Sequence, residues 1–337
     1  MNEIIIKEKK YKIQKIINES NYATVYLVNY ENKNYIIKHN NSFTGSLTNE
    51  YIFYLELENK KNQYSQLYST INNNIIKYIT HEEYKIEEKI QVYTKKTRPL
   101  RPNMNLILDN ISNIRIDTKI VTEYAGEYTL DKIDITKYNI VNIFNELLRI
   151  ILVLHNMNMF HGDIKPANII TNTNNSNLLY PQFILIDFCT SQHINSDSEF
   201  NIIRCTANYM FLFATNIRNI LNNTHKDRKY IFFLSDLWSV IITVCNIVLK
   251  KHVLIYDEYK ELIYYNQFID FWESNKYDYL KNNNLNYEDS KNNFMNKIIK
   301  NINDDDTNNK IFLINLFYLY YLAITTENNI ENIFNLT

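Results

Sequence analysis

The chain has 337 residues, a formal net charge of -1 and 45% hydrophobic residues. A chain of this length can bury a large core, and its balanced charge argues against a dedicated nucleic-acid-binding or membrane-binding protein. Its three cysteines, Cys189, Cys205 and Cys245, are odd in number and widely spaced, which favours a reducing compartment over a disulfide scaffold.

The N-terminus lacks the charged-then-apolar order of a cleavable signal peptide. Two apolar runs, 231–249 and 311–324, are predicted to be core helices. The first contains Asp236, and the second is too short to cross a bilayer. We therefore expect a cytoplasmic or otherwise intracellular protein with no membrane partner and no direct nucleic-acid binding.

The N-terminal third predicts a small sheet with one main helix. Runs of apolar and β-branched residues separated by polar turns indicate five short strands. These strands are predicted at Tyr11–Ile17, Ala23–Val28, Tyr35–Lys38, Ile75–Ile79 and Asp117–Tyr124. A helix carrying Glu50 is predicted over Leu47–Leu57, and the stretch 86–113 is interpreted as a charged insertion.

The remainder predicts mostly helix. Apolar residues at i, i+3, i+4 and i+7 spacing indicate an amphipathic helix from Ile140 to Leu154. Loops are predicted at 172–177, 189–204, 281–291 and 301–309. Strands first and helices later predict an α+β fold with two lobes, a small antiparallel-sheet lobe at 1–124 and a larger helical lobe at 125–337.

One short run, His161 to Asn168, concentrates the chemistry of the chain. Asp163 can accept the proton of an attacking hydroxyl, and Lys165 can stabilise a phosphoryl group in transfer. Asn168, together with Asp187 at the end of an apolar run, offers the oxygen ligands that Mg²⁺ prefers beside nucleotide phosphates. The alternative interpretation is a solvated polar loop.

With these residues in order, the chain resembles the eukaryotic-type protein kinase superfamily over nearly its whole length. The run ending in Lys38 resembles the third-strand lysine motif. The resemblance implies that Lys38 contacts the α- and β-phosphates of ATP and that Glu50 holds it, with Glu56 as the alternative partner. The residues around Glu50 are similar to those of the vaccinia-related and casein kinase group.

The run Val121 to Gly126 resembles the hinge that binds adenine. This likeness implies that the Glu123 carbonyl and the Ala125 N–H bind the base and that Thr122 is a small gatekeeper. Ile17 and Val25 complete the ATP-binding set that the resemblance implies.

The resemblance extends through the second lobe. His161 to Asn168 is similar to the catalytic loop, in which Lys165 is typical of Ser/Thr kinases and His161 gives structural support. Cys205 to Met210 resembles the end of the activation segment, where Thr206 would bond to the catalytic loop. Ser235 to Ser239 resembles the start of the central helix, where a buried Asp236 would accept N–H bonds from the catalytic-loop backbone.

Several positions depart from the family pattern. Asn18, Ser20 and Ala23 replace three glycines of the phosphate-covering loop, and Cys189 replaces the glycine after Asp187-Phe188. Phe211-Leu212-Phe213 stands in place of Ala-Pro-Glu. Gly162 replaces an arginine, so the basic pocket that reads a phosphorylated activation loop is missing.

The resemblance implies a Ser/Thr protein kinase that uses ATP with Mg²⁺, or Mn²⁺ as the alternative metal, and takes protein substrates. Two alternatives stay open. The lost glycines favour a pseudokinase scaffold that binds partners through the same fold. The His-Gly-Asp run also occurs in small-molecule kinases of the aminoglycoside and choline type, although Lys165 favours a protein substrate.

Overall fold

The computed structural model describes residues 3–20, 23–40, 46–94, 107–172, 182–193 and 225–249. The chain forms two compact units. The first consists of Met1–Leu55 and Ile76–Tyr124, and the second of Glu56–Ile75 and Ala125–Thr337. Their described parts confirm the predicted α+β class, with an antiparallel sheet in the first unit and two long helices in the second.

The first unit is built on a six-stranded antiparallel sheet with the order β1-β2-β3-β4-β6-β5. The strands are β1 Glu3–Ile6, β2 Lys9–Glu19, β3 Ala23–Tyr30, β4 Lys33–Asn40, β5 Tyr78–Thr94 and β6 Ile107–Glu123. Residues that alternate along these strands form one buried cluster of Ile4, Ile6, Tyr11, Val28, Ile37 and Val121. This period-2 burial is what fixes the register of the sheet.

Two features of this unit differ from the elements predicted from the sequence. Within 86–113, interpreted as a charged insertion, the described residues are strand: β5 and β6 pair continuously from Tyr84↔Asp117 to Thr94↔Ile107. Strand β4 pairs with β6 only between Glu123 and Lys119, so the outer part of the hairpin is a ribbon two strands wide. Such a ribbon does not need the continuous apolar run that marks a buried strand. The predicted strand at Ile75–Ile79 begins only at Tyr78, and β1 was missed.

The main helix, α1, spans Ser46–Gln63 and is longer than predicted. Its buried residues Glu50, Phe53, Tyr54 and Leu57 follow at helical spacing, so that Glu50 lies on the inner face. A short helix, α2, follows at Ser65–Ile71. The boundary between the two units falls inside α1, after Leu55.

The second unit is organised by α3, Ile140–Asn156, and α4, His225–Leu249. Asn139 caps α3 by accepting hydrogen bonds from the amides of Val141 and Asn142 at 2.9 and 3.4 Å. The predicted amphipathic stripe of α3 is buried. In α4, most of the described side chains from Phe232 onward are buried, as a core helix requires. No helix among the described residues is long and apolar enough to cross a membrane.

Two short antiparallel strand pairs complete the described part of the second unit. Strand β7, Met159–Phe160, pairs with β10, Gln192–His193. Strand β8, Ile169–Asn172, pairs with β9, Gln182–Leu185, in antiparallel register. The predicted helix at 311–324 and the predicted loops at 281–291 and 301–309 lie outside the described residues.

Candidate active site

The catalytic-loop candidate is anchored by a buried carboxylate on α4. Asp236 has no exposed surface, and it accepts hydrogen bonds from the amides of His161 and Gly162, each at 3.0 Å. The ring of His155, on α3, lies 3.3 Å from the same carboxylate. These contacts compensate the cost of burying Asp236 and explain why an acid lies within the apolar part of α4.

His161 is held in one tautomer by the loop that follows it. The amide of Asp163 donates to its Nδ1 at 3.2 Å, so the ring proton lies on Nε2, which contacts the carbonyl of Ile186 at 3.2 Å. Burial lowers the pKa of His161 below its ordinary value, although the nearby carboxylates of Asp236, Asp163 and Asp187 oppose this shift. The ring is therefore a neutral structural link between the loop and the residue before Asp187.

Asp163, Lys165 and Asn168 form a compact polar cluster. Lys165 Nζ lies 2.7 Å from Asp163 Oδ2, and Asn168 Nδ2 donates to the same oxygen at 3.1 Å and to the Asp163 carbonyl at 2.8 Å. Asp163 is 8% exposed and Asn168 is 5% exposed. Lys165 and Asn168 therefore both bond to the Oδ2 atom of Asp163. A carboxylate held in this way could accept the proton of a substrate hydroxyl.

Asp187 lies just beyond β9 with a left-handed backbone, φ 66°, which aspartate tolerates better than most residues. Within the described segment 182–193, Asp187 is the one residue with a positive φ. The backbone at Cys189 therefore does not require a glycine. The amide of Ile186 donates to the carbonyl of Asn168 at 3.0 Å, which ties Asp187 to Asn168 through the backbone. A carboxylate and an amide oxygen on one anchored hairpin suit Mg²⁺.

Gly162 has a structural reason to lack a side chain. Its φ is +84°, and a Cβ would lie 2.9 Å from the carbonyl of Thr190 and 3.0 Å from the Phe160 ring. An arginine at this position would be strained by its backbone and would displace a neighbouring peptide group. The missing arginine is therefore part of how this loop packs.

In the first unit, Lys38 on β4 pairs with Glu50 on α1. Lys38 Nζ lies 2.9 Å from both Glu50 oxygens, and Glu50 is completely buried. The hydroxyl of Tyr54, one turn later on α1, donates to Glu50 Oε1 at 3.2 Å. The sequence offered Glu50 and Glu56 as partners for Lys38. The structure pairs Lys38 with Glu50.

Four of the adenine-site candidates lie on strands of the sheet that contains Lys38. Val25 is the register partner of Lys38 on β3, and Thr122 on β6 is the partner of Ile36. Thr122 is buried, whereas Ile17 is 48% exposed beside an irregularity in β2. Glu123 is the last residue of β6, and Ala125, two residues later, is the first residue of the long segment of the second unit.

The phosphate-loop candidate is closed by side-chain contacts at its base. The Ser20 hydroxyl donates to the Ala23 carbonyl at 3.0 Å and lies 3.1 Å from the Ala23 amide. The amide of Ser20 also donates to that carbonyl at 3.1 Å. Serine at this position supplies a turn-closing contact that glycine lacks.

Four residues that contact the candidate site residues were not among the site residues predicted from the sequence. His155, Tyr54, Thr190 and Ser191 all contact the candidate site residues, and the hydroxyls of Thr190 and Ser191 donate to the His161 carbonyl at 3.2 and 2.9 Å. Only Tyr54 had a local signal, because it lies four residues after Glu50 on a predicted helix. The predicted Thr206 and the segments 205–210 and 211–213 lie outside the described residues.

A lysine–glutamate pair beside a sheet, and an anchored loop carrying Asp163, Lys165 and Asn168, define the class of phosphotransferases. The protein kinase domain model matches residues 11–312, so the chain belongs to the protein kinase family. It is also 25% identical over 183 residues to the serine/threonine-protein kinase CAK1 of Saccharomyces cerevisiae. That match covers 52% of this chain and 45% of the relative, so it spans less than half of the relative's length.

Proposed function

We propose that the chain is an active protein kinase that transfers the γ-phosphoryl group of Mg·ATP to serine and threonine hydroxyls of proteins. The single observation that carries this proposal is the Asp163, Lys165 and Asn168 cluster, with Lys165 Nζ 2.7 Å from Asp163 Oδ2. A buried carboxylate beside a cation, on a loop anchored at Asp236, is the arrangement that a hydroxyl acceptor requires.

Asp163 would accept the proton of the substrate hydroxyl as the hydroxyl oxygen bonds to phosphorus. General-base catalysis of this kind contributes roughly 10²–10⁴ in rate. Lys165, held at Asp163, would neutralise charge on the phosphoryl group as its bond to the leaving oxygen breaks. These fixed charges require no reorganisation during the reaction, which is why they stabilise the transition state.

Lys38 would bind the nucleotide phosphates, and the buried Glu50 would hold its ammonium group in place. Asn168 and Asp187 would hold the divalent cation, Mg²⁺ or alternatively Mn²⁺. Once bound, that cation supplies positive charge to the phosphate oxygens and the leaving group. Thr122, Glu123, Ala125, Ile17 and Val25 would bind adenine, as the family resemblance implies.

The choice of serine and threonine rests on Lys165 and on the likeness to a serine/threonine kinase. The family match also favours a protein acceptor over an amino alcohol. The proposed location is the interior of a cell, which the odd number and wide spacing of the cysteines favour.

The test is autophosphorylation of the purified chain with radiolabelled ATP, followed by mass-spectrometric mapping of the modified residues. We expect Asp163→Asn and Lys38→Met each to abolish transfer. The matched controls are Asp131→Asn, the same change at an exposed carboxylate, and Lys33→Met, at an exposed lysine on the same strand as Lys38. Undiminished transfer by Asp163→Asn, or modification of tyrosine alone, would contradict the proposal.

A pseudokinase scaffold is the second candidate, and the closure of the phosphate loop favours it. The Ser20 amide and hydroxyl both bond to Ala23, so the serine is engaged within the turn. Thermal stabilisation by Mg·ATP without any phosphoryl transfer, to itself or to generic protein substrates, would favour this candidate over the active enzyme.

A further inference from the structure

The outer edge of β9 is completed by a segment from far earlier in the chain. Strand β8 occupies one edge of β9. On the other edge, the Leu185 amide donates to the Asn74 carbonyl at 2.8 Å, and Ile75 forms a parallel bridge with Leu185. The Asn74 side chain donates from Nδ2 to the Phe183 carbonyl at 2.9 Å. One residue therefore bonds to two β9 residues, and it does so in place of a third strand.

The side chain of Asn74 is itself fixed by an ion pair on α3. Arg149 Nη2 donates to Asn74 Oδ1 at 2.8 Å and to Glu146 Oε1 at 2.6 Å, while Arg149 Nε donates to Glu146 Oε2 at 2.8 Å. Asn74 Nδ2 also lies 3.1 Å from Glu146 Oε1. The other end of the guanidinium, Nη1, donates to the Thr70 carbonyl at 2.8 Å. Both polar atoms of the Asn74 side-chain amide therefore have hydrogen-bond partners, and these partners fix the orientation of the amide.

These contacts act close to the proposed metal ligands. Strand β9 ends at Leu185, two residues before Asp187, and the intervening Ile186 bonds through its amide to the carbonyl of Asn168. A two-stranded hairpin is marginally stable alone, so the edge bonds from Asn74 contribute to its position. Mg²⁺ demands near-ideal octahedral geometry and tolerates little displacement of its ligands.

We propose that Asn74, oriented by Arg149 and Glu146, is a positioning residue that sets the place of Asp187 through β9 and thereby sets the affinity for the catalytic divalent cation. This inference rests on the proposed function, in which Asp187 binds the metal. Asn74 itself touches neither metal nor substrate in this scheme. Groups that orient metal ligands commonly change metal affinity by roughly 10–100-fold when they are removed.

The test measures nucleotide binding by calorimetry in the full chain, with a nonhydrolysable ATP analogue, once in Mg²⁺ and once in EDTA. For the unaltered protein we expect tighter binding in Mg²⁺. In Asn74→Ala the gain from Mg²⁺ should shrink by about tenfold, whereas affinity in EDTA should stay the same. The matched control is Asn73→Ala: Asn73 is the exposed neighbour, whose backbone carbonyl rather than side chain accepts from Gln182.

Kinetics supply a second measurement that a purely structural role would not change. Raising the Mg²⁺ concentration should restore the rate of Asn74→Ala, but it should not restore the rate of Asp163→Asn. Arg149→Lys keeps the charge and loses the guanidinium fork. It should show the same metal-dependent defect in milder form, and it keeps the proposal testable if Asn74→Ala does not fold.

The outcomes separate this inference from the function on which it depends. An unchanged Mg²⁺ gain in both Asn74→Ala and Arg149→Lys, with only a lower unfolding temperature, would overturn the positioning role and leave the kinase proposal standing. Absence of any Mg²⁺ gain in the unaltered protein would overturn both.

Discussion

The ammonium group of Lys38 lies 2.9 Å from each carboxylate oxygen of Glu50, and Glu50 has no exposed surface. A buried carboxylate is stable only while it is paired, because removal of one partner of a buried ion pair leaves an uncompensated charge. The pair therefore matters for folding as well as for phosphate binding.

We expect Lys38→Met to lower the free energy of unfolding by about 3 kcal/mol, because Glu50 loses its cation. The double variant Lys38→Met/Glu50→Gln should regain much of that loss while remaining inactive, since the buried charge is gone. Urea unfolding of both variants, beside Lys33→Met, checks this prediction. A double variant less stable than Lys38→Met alone would contradict it.

Asp236 supports the catalytic loop with two charge-assisted hydrogen bonds to the backbone amides of His161 and Gly162. In Asp236→Asn the shape is kept, but one oxygen becomes an NH₂ group that cannot accept. One buried amide then loses its acceptor, at a cost of about 1–3 kcal/mol in unfolding free energy.

The transfer rate of Asp236→Asn should also fall, because the loop that carries Asp163 loses one of its anchors. Ser239→Ala is a suitable control, since it removes a buried hydroxyl of α4 that donates to the Ser235 carbonyl at 3.0 Å rather than to the catalytic-loop amides. Equal losses of stability in Asp236→Asn and Ser239→Ala would show that Asp236 has no special role.

Gly162 combines a φ of +84° with a carbonyl 2.9 Å from the site of any Cβ. Gly162→Ala should therefore lower stability by about 1–3 kcal/mol, the usual range for a residue forced into this backbone region. Gly162→Arg should be at least as harmful, and it should not create activation by phosphorylation of the 194–204 region. Unfolding curves, and activity before and after phosphatase treatment, test both statements.

Stability should fall as the pH drops below about 6.5 because of His161. Burial lowers the pKa of its ring, so the unfolded chain takes up a proton at a higher pH than the folded chain does. Between those two pKa values the unfolded state binds more protons, and stability declines by up to about 1.4 kcal/mol per pH unit. Above that window His161 contributes no pH dependence.

Urea unfolding at pH 7.5 and 5.5 checks the sign. His161→Gln should reduce the difference between the two values, whatever its effect on stability at either pH. His81→Gln should reduce the difference less, because desolvation also lowers the pKa of His81 but its side chain is only partly buried. A His161→Gln protein with the full pH dependence would contradict the assignment.

Local patterns predicted the features whose causes are local. Helix α3 was predicted because its buried stripe repeats at helical spacing, and the loop at Asp163 because its reactive residues follow one another in the chain. The meaning of Gly162 was not predictable from its neighbours, since the obstructing carbonyl belongs to Thr190. The outer ribbon of β5 and β6 was missed because its many charged and polar residues interrupt the apolar runs by which the other strands were predicted.

The contacts of Asn74 were likewise not predictable from the sequence. Its side chain donates to a carbonyl 109 residues away, at Phe183, and its own carbonyl accepts from Leu185. An asparagine between a short helix and a strand is an ordinary turn residue in sequence. Only tertiary structure shows that a distant strand edge uses it.

The first unit is discontinuous in sequence, because residues Glu56–Ile75 belong to the second. One cut in the chain after Tyr124 would therefore leave the first unit whole in the N-terminal piece but would divide the second unit. The N-terminal piece would carry Thr70 and Asn74 away from Arg149, Phe183 and Leu185, with which they form hydrogen bonds. Two co-expressed fragments divided at this point should consequently reassemble through that shared strand edge, so that residues 124 and 125 mark a natural place to build a split, inducible version of the enzyme.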